Sequence, residues 1–147
     1  MVAVIQRVKK ASVEVRGVEI SSIGHGLVVF LGIALGDTAQ ECDKFCDKIL
    51  KLRIFSDSHG KMNLSLREVQ GEVLLVSEFT LLGELKGQNR PSFAKAAGIE
   101  EAQKLYNYFG QKLACVVPTR CGVFREEMQV HLTNDGPVTF VLRSGEF

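Results

Sequence analysis

Apolar and polar residues alternate at both ends of the chain. Residues 2–8 and 11–15 carry the period-two pattern, as in Ala11-Ser12-Val13-Glu14-Val15, and predict strands paired near the N-terminus. Gly24-His25-Gly26 predicts a turn. After it, Leu27-Val28-Val29-Phe30-Leu31 is an unbroken apolar run, the pattern of a strand buried on both faces. Thr38-Ala39-Gln40-Glu41 has the form of a capping box. Beyond it, Cys42, Phe45, Cys46, Ile49 and Leu50 recur at helical spacing and predict an amphipathic helix. Asp57-Ser58-His59-Gly60-Lys61 predicts a turn.

A second buried strand is predicted at Val73-Leu74-Leu75-Val76, running on into Ser77-Glu78-Phe79-Thr80-Leu81. Residues 82–98 have the composition of a loop. Ala102, Leu105, Tyr106, Phe109 and Leu113 then mark one face of a second helix, which Pro118 stops. Met128, Val130 and Leu132 predict one further strand, and Val138, Phe140 and Leu142 another. The turn formers Thr133-Asn134-Asp135-Gly136-Pro137 lie between them. The order of elements predicts an α/β fold: one domain over residues 1–147, with mixed β-sheets packed as two sheet layers and two amphipathic helices.

Composition narrows this picture. A chain of 147 residues with 46% hydrophobic content fits one domain with a sizeable core. The net charge of +1 announces no nucleic-acid binder, although a local basic patch can coexist with a neutral total. No basic-then-apolar leader opens the sequence and no apolar run reaches a membrane span, so a soluble cytoplasmic protein without membrane association is expected. Cys42, Cys46, Cys115 and Cys121 do not combine with His25, His59 or His131 into zinc-ligand spacing. No metal and no cofactor are expected.

Standard catalytic signatures are absent. There is no Gly-x-Ser-x-Gly elbow, no Gly-Lys-Ser/Thr phosphate loop and no His-Glu-x-x-His. Two segments remain. Ser77-Glu78-Phe79-Thr80 brings polar groups to the end of a buried strand. Its hydroxyls either line a ligand site or satisfy backbone groups where the strand ends. Asp135-Gly136-Pro137 combines a residue that permits close backbone approach with one that makes a cis bond accessible. The same residues also suit an ordinary hairpin turn.

Taken in order over nearly the whole chain, a set of short stretches resembles the D-aminoacyl-tRNA deacylase family. They are Ile5-Gln6-Arg7-Val8, Ala11-Ser12-Val13, Arg53-Ile54-Phe55-Ser56-Asp57 and Gly60-Lys61-Met62-Asn63-Leu64. Ser77-Glu78-Phe79-Thr80-Leu81, Arg90-Pro91-Ser92-Phe93, Met128-Gln129-Val130 and Asn134-Asp135-Gly136-Pro137-Val138-Thr139-Phe140 complete the set. The resemblance implies a homodimer that acts on the 3′ end of aminoacylated tRNA. It implies hydrolysis of the ester between a D-amino acid, or glycine mischarged on tRNA(Ala), and the terminal adenosine.

It further implies that Gly136 and Pro137 form a cis unit that enters the partner's active site and rejects L-aminoacyl groups. Arg7 would brace that unit. Ser77, Phe79 and Thr80 would line the pocket for adenosine and ester, with Glu78 and Met128 beside them. Glu78 departs from the Gln usual in the family, and an ionised Glu cannot donate a hydrogen bond. The expected chemistry is attack by water, with backbone N–H groups near Phe79 and Thr80 holding the oxyanion. The ribose 2′-OH of the substrate is a candidate assistant. Thr80 as a covalent nucleophile is the competing mechanism, and a tRNA-binding module without catalysis or a deacylase of altered chiral specificity are the competing functions.

Overall fold

In the computed structural model, which describes residues 1–147, the chain opens with one long strand and not two. β1 (Val2–Val15) runs straight through the Lys9-Lys10 pair that interrupts the alternation. A two-residue turn follows, Arg16 and Gly17, with φ of 51° and 79°. Both values are positive, which matches the right-handed twist of a hairpin. β2 (Val18–Ile23) then pairs with the second half of β1, and β3 (Gly26–Gly32) pairs with its first half.

From β3 the chain crosses over through α1 (Ala39–Lys51) and the small hairpin β4 (Phe55–Ser56) and β5 (Met62–Leu64). It returns as β6 (Glu72–Ser77), parallel to β3. A second crossover through α2 (Ile99–Ala114) leads to β7 (Thr119–Cys121), parallel to β6. Parallel neighbours need such long connections, and a helix is the usual one. β8 (Gln129–Arg143) closes the fold by pairing along the outer edge of β1.

Two apolar clusters explain the two layers. The larger lies under the helices. α1 starts where the Thr38 hydroxyl accepts the Glu41 N–H, and it buries Cys42, Phe45, Cys46 and Ile49. α2 buries Leu105, Tyr106, Phe109 and Leu113 against them. Full burial of a side chain such as Phe45 or Phe109 contributes roughly 1.5–3 kcal/mol. The smaller cluster, Val8, Ala11, Val13, Ile23, Val28, Leu74 and Val76, draws on β1, β2, β3 and β6. The far halves of β1 and β8, with β2, therefore bend over the sheet, and the bend coincides with register shifts of β1 against β8 at Gln6–Lys10.

The thiols of Cys42 and Cys46 sit within the larger cluster and donate to the Leu105 and Phe109 carbonyls, each at 3.8 Å. Burial pushes them up to about 11 and about 12 respectively, so they are packing groups and not nucleophiles. No helix is long and apolar enough to cross a membrane.

Two expected elements differ. The residues after Ser77 do not continue the strand; Phe79–Leu82 is a 3-10 helix. The reason is loss of partners: β3 pairs with β6 only as far as Leu31 opposite Ser77, and β7 reaches only Leu75. The expected hairpin at 133–137 is also absent. Residues 129–134 and 139–143 both pair with β1 in one direction, so the chain does not reverse and β8 is one strand interrupted by a bulge.

Candidate functional site

The 3-10 helix stands at the end of β6 and turns back across β3. The Glu78 N–H donates to the Leu31 carbonyl at 2.8 Å, and Leu81 N–H closes the first turn on the Glu78 carbonyl at 3.3 Å. Gly32 makes this approach possible. A Cβ there would lie 3.0 Å from the Glu78 carbonyl oxygen and 3.2 Å from Leu81 Cβ. The backbone N–H groups of Phe79 and Thr80 precede that closure and bond to nothing in the chain. The Thr80 hydroxyl donates to the Glu78 carboxylate. Phe79 is 55% exposed, its ring set edge-on to Phe93 with centroids 4.8 Å apart.

Beside this helix opens a cavity of about 600 Å³. Ser77, Glu78, Phe79 and Met128 all line it, with an apolar wall that includes Leu31, Ile33 and Phe124. Gly122 lets the Met128 thioether close in, since a Cβ there would lie 2.7 Å from its sulfur. The charged groups on the wall are Glu78, Arg125, Glu126 and Glu127, and Arg16 engages Glu126 at 3.1 Å. No histidine lines the cavity. His25 sets its ring edge-on to Phe55, His59 sits in the 57–61 turn, and His131 faces Glu14. A side-chain triad therefore has no histidine to use here. No group of three or more His, Cys, Asp or Glu side chains is placed to hold a metal ion.

The second segment is built differently. Gln6 pairs with Thr139 and Val8 with Asn134, so the four residues 135–138 of β8 stand opposite the single residue Arg7 of β1. Arg7 is 9% exposed. Its Nε donates to the Asp135 carbonyl at 2.9 Å and lies 3.1 Å from the Asp135 carboxylate, while Nη1 donates to the Ile54 carbonyl. The Gly136–Pro137 peptide bond is cis. Gly136 has no room for a side chain: a Cβ would lie 2.4 Å from Asn134 Oδ1 and 2.8 Å from the Val138 nitrogen.

Sequence reasoning placed eight residues at the site, and the structure divides them. Ser77, Glu78, Phe79 and Met128 share the cavity, with Thr80 next to it through Glu78. Arg7, Gly136 and Pro137 form a separate, braced projection that lines no part of that cavity in one chain. Missed were the wall residues Phe124, Arg125, Glu126 and Glu127. Arg125, at φ 65°, carries a backbone signature that leaves no trace in the sequence of a non-glycine residue.

Comparison with known proteins gives a consistent result. A family model described as D-Tyr-tRNA(Tyr) deacylase matches residues 4–143. A D-aminoacyl-tRNA deacylase from Geobacter is 52% identical over 145 residues, covering 98% of this chain and 97% of that one. One from Haemophilus influenzae is 50% identical over 142 residues, covering 97% and 99%. The solved structure of a c-Myc DNA Unwinding Element Binding Protein matches with TM-score 0.93 and 47% identity, over 98% of this chain and 99% of that one. A probable eukaryotic D-amino acid tRNA deacylase, 16% identical, shares the fold with TM-score 0.80 over 96% and 97% of the two chains.

Proposed function

The chain belongs to the D-Tyr-tRNA(Tyr) deacylase family, and from that premise we propose that it hydrolyses the ester between a D-amino acid and the 3′-terminal adenosine of tRNA. The observation that carries this reading is the pair of unspent N–H groups at Phe79 and Thr80, beside a cavity with no histidine. Backbone donors fixed at the mouth of an apolar pocket can hold the oxyanion of a tetrahedral intermediate. Water is the attacking group, and the substrate's 2′-OH is available to assist it. Glycine mischarged on tRNA(Ala) falls within the same reading, because it has no side chain to be excluded.

Chiral selection belongs to Gly136 and Pro137. An apolar pocket distinguishes ligands that differ by a methylene only by about 1–3 kcal/mol, so rejecting the abundant L-esters needs a rigid obstruction. In one chain these residues do not reach the cavity, so the obstruction comes from a second copy. The free outer edge of β8 and its exposed Phe140 and Val141 are consistent with such a homodimer. The cytoplasm, where tRNA is charged, is the compartment this activity requires.

One observation favours a second mechanism. The Thr80 hydroxyl donates to the Glu78 carboxylate, which supplies a proton acceptor beside a potential nucleophile. A carboxylate is a weak base toward an alcohol, and the water mechanism is preferred for that reason.

The test is a parallel incubation of D-Tyr-tRNA, L-Tyr-tRNA and Gly-tRNA, following the ester that remains. Loss of the D and glycyl esters alone is expected. Comparable loss of the L-ester identifies a deacylase of altered chirality. Complex formation without ester loss identifies a nucleic-acid-binding module, the kind of activity for which the c-Myc DNA Unwinding Element Binding Protein is named.

A further inference from the structure

The bulge in β8 is spanned by a side chain to which the motif itself assigns no role. The Asn134 amide nitrogen donates to the Arg7 carbonyl at 3.0 Å and to the Val138 carbonyl at 3.1 Å. Arg7 is the one residue of β1 opposite the bulge, and Val138 is the last residue of the bulge. A single NH₂ group thus bridges the mouth of the four-residue bulge, where the regular ladder is interrupted. Two carbonyl acceptors also fix which end of the amide is nitrogen. The amide oxygen consequently faces into the loop, 2.4 Å from where a Cβ on Gly136 would stand.

We propose that Asn134 is a positioning residue for chiral discrimination: its amide closes the end of the bulge carrying the Gly136–Pro137 unit that the Arg7 side chain does not hold. The inference rests on the reading that these two residues exclude the L side chain. Arg7 holds Asp135, the first residue of the bulge, through its carbonyl and carboxylate. Nothing on the Arg7 side chain restrains the other end. Asn134 ties that end, at Val138, to the backbone of Arg7 itself. The loop is then closed at both ends on one residue of β1. A steric gate that distinguishes hydrogen from a methyl group at one carbon fails if it shifts by about 1 Å. Bracing at both ends is what such a gate requires. Asn134 is exposed and belongs to neither apolar cluster, so its loss opens no core cavity.

The experiment compares Asn134→Asp and Asn134→Ala with the wild-type dimer. The Asp variant keeps the size of the side chain but loses both donors and turns a carboxylate toward two carbonyls. The specificity constants for D-Tyr-tRNA and L-Tyr-tRNA are measured with thermal unfolding, and with hydrogen exchange of the amides in 134–139. Two neutral hydrogen bonds are at stake, so the expected result is a rise of about tenfold or more in relative cleavage of the L-ester. D-ester turnover should stay within about threefold, and exchange should quicken in 134–139 alone. An unchanged D/L ratio in a folded variant overturns the proposal. If the wild type does not distinguish the two esters, the functional reading has failed. In that case unchanged exchange in the Asp variant overturns the brace independently, and faster exchange leaves the brace standing with its role in chirality refuted.

Discussion

The segment 77–82 and the segment 134–138 present opposite uses of polar groups. In the first, the N–H groups of Phe79 and Thr80 are unbonded, Phe79 is half exposed, and the one side-chain bond is between neighbours on the same turn. In the second, a largely buried guanidinium and an amide hold both ends of the loop, and a single added carbon at Gly136 has nowhere to go. A surface that stabilises developing charge must keep its donors free until the substrate arrives. A surface that rejects one hand of a substrate must spend its hydrogen bonds beforehand on holding still. Under the proposed function, the difference separates two tasks, charge stabilisation and chiral rejection, into two physical regimes within one fold.

Point substitutions test this division of labour. The largest effect is expected at the free donors. Position 79 is the first residue of the 3-10 helix, where Pro is tolerated, so Phe79→Pro removes the N–H with little other disturbance. Its turnover should fall about 100–1,000-fold below that of Phe79→Ala, which lacks the ring but keeps the donor. Equal rates in the two variants would remove the oxyanion role of Phe79. Next comes Arg7→Ala, which strands two carbonyls and the Asp135 carboxylate. It should cost about 3 kcal/mol in urea unfolding and open the gate to L-esters.

Gly136→Ala is expected to cost about 1–3 kcal/mol through overpacking against Asn134 and Val138, again by equilibrium unfolding. The smallest effect is expected from Thr80→Ala, which removes a hydroxyl already committed to Glu78. Single-turnover rates should stay within about threefold of wild type. A collapse of more than about 100-fold in a folded, tRNA-binding variant would transfer the chemistry to Thr80 as nucleophile.

The two segments were also unequally legible in the sequence. Both helices, the buried strands β3 and β6 and the mixed order of elements follow from periodicity, because burial sets periodicity directly. The ends of pairing do not. Glu78-Phe79-Thr80-Leu81 reads like strand, and only the positions where β3 and β7 stop pairing decide that it coils into a 3-10 helix. Asn134-Asp135-Gly136-Pro137 has the composition of a reversal, yet both flanks pair with β1, so the same residues make a bulge. Arg7 and Val8 are buried in succession, a break in alternation that marks the bulge on the partner strand, and Lys9-Lys10 conceals it in the sequence. The site residues that emerged came from the chain-long resemblance. The wall at 124–127 and the bridging role of Asn134 depend on contacts between segments distant in sequence, which no local pattern encodes.

The continuity of β8 has a practical corollary. The ladder resumes on both sides of the bulge, at Asn134 and at Thr139, with the same partner strand, although its register shifts between Gln6 and Lys10. Of the four intervening residues only Val138 is buried in the core, so Asp135, Gly136 and Pro137 add little to the packing of the sheet. Those three form a cassette anchored at fixed ports, held by Arg7 at Asp135 and closed at its other end by Asn134 and the buried Val138. Under the proposed gate, altering what is excluded from the substrate becomes a problem of three positions and their two anchors, Arg7 and Asn134.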